Sequence, residues 1–257
     1  MDCLATEYET LVVLNNTYTM NTENKHFPAS FRVIGVGHGI ENVINEINSF
    51  GFEGVSAEVV KYPFDCTPQD EDKLAIICFT DCDDNANRIA KTFHDAGVLT
   101  LGFSEDADPS CYDSVMLCES RKEYPEKIKA LLQPIVTPCM ISFDFSDLST
   151  ILRDSDYFTV KSTSGNGVKE AAEKLGAAFN ELDFNCVDYL SIHLYYNPNR
   201  STPLAMSEMA SLQQLMSRLP ETVNVLWSVN HDENLNSDEI RLFTILAGKE
   251  AWKCQTT

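Results

Sequence analysis

An α/β fold is predicted, with a Rossmann-type parallel first half and a smaller, strand-richer α+β second half. Three observations carry this. The apolar run Phe31–Val36 leads into the turn Gly35-Val-Gly-His-Gly39, and Ile40, Val43, Ile44, Ile47 and Phe50 then follow at helical spacing. Apolar runs and helical patterns keep alternating as far as residue 121. Beyond residue 150 strand-like runs outnumber helical ones.

The elements follow in order. Residues 1–30 are a largely polar N-terminal extension, broken by Leu11-Val-Val-Leu14. Gly51 suits the end of the first helix. Val55–Val60 and Leu74–Phe79 read as strands, and Ala86, Ile89, Ala90 and Phe93 mark the next helix. Val98–Phe103 and Ser114–Cys118 are two more strands. Residues 124–136 are predicted to be a polar helix interrupted near Pro134. After Pro138 the chain runs extended until Asp144 and Asp147 open a helix carrying Leu148, Ile151 and Leu152. Strand Tyr157–Thr163, a polar glycine loop Ser164–Gly167, and a helix through Ala171, Ala172, Leu175 and Ala178 come next. Strand Tyr189–Tyr195, helix Leu204–Leu219, and strands Val223–Val229 and Ile240–Leu246 complete the pattern. The predicted organisation is an extension (1–30), a nucleotide-domain-like unit (31–121), a short central helix with its lead-in (122–141), a second domain (142–248) and a tail (249–257).

The 257 residues are enough for one large or two small domains. A net charge of −20 argues against nucleic acid and against an anionic membrane as partners. Nine cysteines, none in a Cys-x-x-Cys pair and with no signal peptide ahead of them, predict reduced thiols and a cytoplasmic setting. Cys78, Cys118 and Cys186, in or beside apolar runs, are expected to act as small core residues. No apolar run is long enough to span a bilayer.

Three groups of residues point to chemistry. A strand, a glycine turn and a helix together offer free N–H groups to an anion, which makes Gly35, Gly37, Gly39 and Asn42 candidate nucleotide-binding residues. The dinucleotide fingerprint fails, because Ile40 stands where its third glycine belongs. Asp81, Asp83 and Asp84 crowd the start of the second helix, as caps or as weak candidates for a metal site. Each carboxylate within about 4 Å of a phosphate costs roughly 1 to 4 kcal/mol per charge pair, a sign that bound Mg²⁺ reverses. Asp144 and Asp147, three residues apart, share a helix face. They read either as caps of their helix or as an acidic pair offered to a ligand.

Thr137-Pro-x-x-Ile-x-x-Asp-Phe-x-Asp-Leu148 resembles the synergy loop of FtsZ, the bacterial relative of tubulin. Val33-Ile-Gly-Val-Gly-x-Gly-x-x-Asn42 is similar to the first nucleotide loop of that family, with His38 and Ile40 in place of family glycines. Trp227–Leu235 followed by Asp238–Gly248 is similar to its last hairpin. The resemblance covers about residues 31–248 and implies a divergent, truncated FtsZ/tubulin-like fold with a shortened central helix. It also implies GTP or GDP with Mg²⁺ as possible ligands, and Asp144 and Asp147 acting on the nucleotide of a neighbouring subunit. The family's glycine-rich phosphate signature is missing: Thr80-Asp-Cys-Asp-Asp-Asn-Ala86 contains no glycine. Bulk at His38 and Ile40 is expected to narrow the nucleotide space. The linker and membrane-tether peptide that follow this domain in FtsZ are expected to be missing, as the sequence reads only to Thr257.

Three functions stay open on these grounds. One is a pseudo-GTPase that joins itself or a true FtsZ head to tail and caps or modulates the filament. The others are an assembly-dependent GTPase and a scaffold that needs no nucleotide.

Overall fold

The computed structural model describes residues 30–61, 65–80, 84–104, 109–117, 120–137, 139–180 and 182–250. The extension, Cys118 and most of the tail lie outside them.

Strands Ser30–Val36 (β1), Val55–Val60 (β2), Asp72–Phe79 (β3), Leu99–Ser104 (β4) and Ser114–Leu117 (β5) form a parallel array in the order β2-β1-β3-β4-β5. Alternate residues of β1 and β3 feed two cores, so these strands are apolar on both faces, as a covered parallel sheet requires. On one face Val33, Leu74 and Ile76 meet Ile44 and Ile47 of helix Glu41–Ser49 (α1) and its N-cap Ile40. On the other, Ile34, Ala75 and Ile77 meet Ala86, Ile89 and Phe93 of helix Asp84–Asp95 (α2). Gly51, at φ +63°, follows the C-cap of α1, the predicted stop.

Helix Tyr124–Val136 (α3) lies beneath the sheet. Its Ile128, Leu131 and Leu132 share one core with β1 and β3, and also with Phe158, Tyr195 and Phe243 of the second half. It is the reverse of the polar helix expected. Nine of its residues are buried, and Pro134 sits inside it without interrupting it. A proline so near the end removes only one late N–H bond, and Thr137 closes the helix by donating Oγ1 to the Gln133 carbonyl at 2.6 Å.

The second half continues the same sheet. Cys139–Ile141 (β6) precedes helix Phe145–Arg153 (α4) and strand Tyr157–Asn166 (β7). Helix Val168–Phe179 (α5), strand Tyr189–Tyr196 (β8), helix Ala210–Met216 (α6), and strands Asn224–His231 (β9) and Glu239–Gly248 (β10) follow. β7 pairs in parallel with β5, through Val115 opposite Tyr157 and Met116 opposite Phe158. The order then runs β7-β10-β8-β9-β6. α5 and α6 cover the face opposite α3, with Ala171, Leu175, Leu212 and Leu215 against Leu190, Ile192 and Leu242.

Four expectations change here. β7 runs through Ser164–Asn166 because Asn166 still pairs with Glu239 of β10. The helix expected from Leu204 to Leu219 shrinks to α6 plus a 3-10 turn at Met206–Met209, since Ala205 is extended and the Glu208 side chain accepts its N–H. β9 and β10 are not a hairpin, because β8 lies between them, parallel to β9 and antiparallel to β10. Their connection crosses the end of β8, where Asn197 Nδ2 donates to the Leu235 carbonyl at 2.6 Å. Cys78 is buried as expected, whereas Cys186 is only half-buried. No helix among the described residues is long and apolar enough to cross a membrane.

Candidate functional site

The turn after β1 depends on its glycines. Gly37 has φ +99° and Gly39 φ +76°, values that side chains rarely adopt. A Cβ on Gly37 would also lie 2.8 Å from Thr80 Oγ1. Gly35 lies inside β1, and a Cβ there would stand 2.8 Å from Ile44 Cγ1 and 2.9 Å from Ile40 Cγ2. Its missing side chain lets α1 lie close against the strand. Gly35→Ala is therefore expected to lower stability by about 1–3 kcal/mol through overpacking, read as a lower urea midpoint at unchanged slope.

Ile40 is buried in the core beneath α1. Its bulk therefore does not narrow the space above the turn, contrary to expectation. His38 is exposed, and its carbonyl accepts from Arg121 Nη1 at 3.3 Å. No side chain caps the start of α1, and Asn42 stands exposed in its first turn. The C-terminal ends of β1 and β3, the uncapped start of α1 and the Arg121 guanidinium thus form a small anion-attracting corner. Thr80 and Arg121 had not stood out as members of it. The available signal was their position, each falling just past a parallel strand.

Among the described residues, no second glycine turn stands beside this corner. Asp84 is the first residue of α2, and its carboxylate suits the helix dipole. Asp81 and Asp83 lie outside the described residues. Among the described residues no group of three or more His, Cys, Asp or Glu side chains could hold a metal ion.

The acidic pair lies elsewhere and is doubly engaged. Asp144 is the N-cap of α4, and its Oδ1 accepts from Ser146 N at 2.8 Å and Asp147 N at 3.1 Å. Asp147 Oδ2 accepts in return from Asp144 N at 3.0 Å, which completes a capping box. Asp144 is exposed and Asp147 half-buried, so capping leaves the pair within reach of solvent. Phe143, just before it, is buried edge-on against the His193 ring, centroids 4.5 Å apart. That ring is wholly buried between Ser191 Oγ (2.9 Å from Nε2) and Ser228 Oγ (2.8 Å from Nδ1). Burial drives its pKa down to about 3.

The other end of α4 is clamped to the first half. Arg153 Nη1 donates to Asp113 Oδ1 at 3.1 Å, and Nη2 to the Gly97 carbonyl at 2.9 Å. At the start of α4 the Phe145 ring packs on Phe31, centroids 5.4 Å apart. Phe31 lies at the beginning of β1 and Gly37 just past its end, about 20 Å away along the strand. The acidic pair and the glycine turn therefore face opposite ends of β1. The structure does not bring them together within one chain.

No family model matches the sequence, and no curated protein matches it. Solved structures do. An empty FtsZ dimer from M. jannaschii aligns with a TM-score of 0.66 at 15% identity, covering 89% of this chain and 93% of that one. GDP-form protofilaments of TubZ from Bacillus thuringiensis serovar israelensis align with a TM-score of 0.59 at 10% identity, covering 87% and 86%. The GDP-bound monomer of CetZ1 from Haloferax volcanii aligns with a TM-score of 0.56 at 10% identity, covering 86% and 94%. The chain has the FtsZ/tubulin-like fold, in a divergent form.

Proposed function

We propose that this protein is an FtsZ-like assembly subunit with a degenerate GTP site. It joins a neighbouring subunit head to tail, through the end of α4 that carries Asp144 and Asp147. The neighbour is a second copy or a true FtsZ, whose filament it caps or modulates. One observation carries this reading: the acidic pair and the glycine turn lie at opposite ends of β1, so the pair can act only on another subunit's turn. Contacts of this head-to-tail kind build filaments, and a subunit with one competent face ends them.

The residues fit GTP in part. The Gly37–Gly39 turn and Arg121 suit one phosphate group. The segment 80–86 has no glycine, and Asp84, which opens α2, brings a negative charge towards any phosphate there. The retained corner favours a second reading, an assembly-dependent GTPase in which the pair orients water for a neighbour's GTP.

Co-sedimentation with a GTP-polymerising FtsZ tests the first reading. The wild-type chain is expected to shorten polymer or change its turnover at substoichiometric ratios. The Asp144→Asn/Asp147→Asn double variant is expected to lose that effect. Asparagine keeps a cap that alanine would remove at about 1 kcal/mol per site, so the loss would not come from unfolding of α4. Polymer indifferent to the wild-type chain would sink the proposal, and turnover of GTP by the chain alone would move it to the second reading.

A further inference from the structure

Met140 (58% exposed), Ile141 (37%), Met206 (66%) and Trp227 (39%) are the exposed large apolar side chains of the described residues. All four line one groove of about 280 Å³, between the β6–β9 edge of the sheet and the segment leading into α6. A single apolar side chain at a surface is ordinary, whereas four converging on one groove mark a contact site.

Arg200 supplies the second, independent observation. It lines the same groove with its side chain only 9% exposed. Its Nη2 donates to Glu208 Oε2 at 3.2 Å. Its Nε and Nη1 are buried and meet no acceptor. Buried donors on a charged group without acceptors are costly, and an acceptor brought in from outside relieves that cost. Arg200 is ion-paired with Glu208, yet two of its donors stay unanswered inside an apolar groove, and the strongest acceptor for them is a carboxylate with apolar flanks.

The third observation is the edge itself. β6 is the last strand of the sheet, paired with β9 on one side and with no described strand on the other. An open edge accepts an extended main chain. The groove, at about 280 Å³, is smaller than a usual pocket for a drug-sized ligand, a size that suits one or two side chains.

We propose that this groove binds an extended segment of a partner protein. The segment adds along the outer edge of β6, places a large apolar side chain among Met140, Met206 and Trp227, and brings an Asp or Glu carboxylate to Arg200. Met140 and Ile141 lie within four residues of Asp144, so a segment bound here would compete with a head-to-tail neighbour. Its binding to the single chain needs neither nucleotide nor the two carboxylates.

The experiment is selection of displayed random peptides on the full chain, with counter-selection on a Met206→Glu variant. Met206 is the most exposed of the four, so that change leaves the core intact. The expected result is enrichment of peptides with a carboxylate between large apolar residues. Changing that carboxylate to its amide should weaken binding at least tenfold, and Arg200→Gln should abolish the distinction between the two peptides. If Arg200→Gln does not fold, a proline placed in the peptide to block its pairing with β6 is expected to weaken binding to the wild-type chain tenfold or more. Binding should persist in the Asp144→Asn/Asp147→Asn variant and shift the Trp227 fluorescence. No enrichment would overturn the proposal, as would enrichment indifferent to the carboxylate. Capture of dodecanoate in place of peptides would reassign the groove to small amphiphiles. Self-association abolished by Met206→Glu, without peptide binding, would reassign it to a second copy of this chain.

Discussion

Between about pH 7 and about pH 4.5, wild-type protein is expected to lose about 3 kcal/mol more stability than a His193→Gln variant. The reason is the burial of this ring. In the unfolded chain it takes up its proton near the ordinary value of 6.5, and in the folded chain only near about 3. Within that window the unfolded chain binds a proton that the folded chain refuses, so acid favours unfolding. Stability is full above 6.5, falls by about 1.4 kcal/mol per pH unit below it, and stops falling on this account near about 3. The neighbours agree with a neutral ring. Asn230 Nδ2 donates to Ser228 Oγ at 2.8 Å, and both ring nitrogens face serine hydroxyls, which can donate to or accept from a neutral ring. Denaturant titrations of both proteins at the two pH values provide the check. Equal pH dependence would mean that the ring is not the buried neutral group described. Phe143 packs on this ring, so acid should also loosen the lead-in to Asp144 before the molecule unfolds.

Asp72→Ala is expected to cost about 3–5 kcal/mol, the usual penalty for stripping one partner from a buried ion pair. The Asp72 side chain is fully buried, and its Oδ2 accepts from Arg32 Nη1 at 3.0 Å and from Gln69 N at 2.9 Å. Arg32 is itself nearly buried, lies 5.2 Å from the centre of the Phe93 ring, and also pairs with Glu58. These contacts join β1, β2 and β3 to α2, so the loss should reach the whole parallel array. Asp72→Asn keeps an acceptor and should cost less. A loss below about 1 kcal/mol for Asp72→Ala, measured by urea unfolding, would show that Glu58 alone satisfies Arg32.

The parallel half was legible because its strands are apolar on both faces, and β1, β2 and β3 lie within two residues of their expected ends. The cap role of Asp144 and Asp147 was legible too, since capping is a local matter of side chain and nearest N–H. Helix α3 was misread because its buried set includes Tyr124, Gln133 and two prolines, residues whose burial depends on a sheet above them and not on their own chemistry. The β9–β10 hairpin was misread because strand order is set by what slides between two strands, here β8.

The sequence by itself determined the fold class, the run of strands and helices in the first half, the glycine turn, and a segment from Thr80 to Ala86 without glycine. These rest on periodicity and on single-residue backbone preferences, which act over a few residues. Only the tertiary structure decided that Gly35 serves packing while Gly37 and Gly39 shape the turn, and that Ile40 points into the core. It alone set Arg121 at the turn, put the acidic pair at the other end of β1, and gathered Met140, Met206, Trp227 and Arg200 into one groove. Each of these joins residues far apart in the chain, and which of them meet is settled by how the described strands and helices pack.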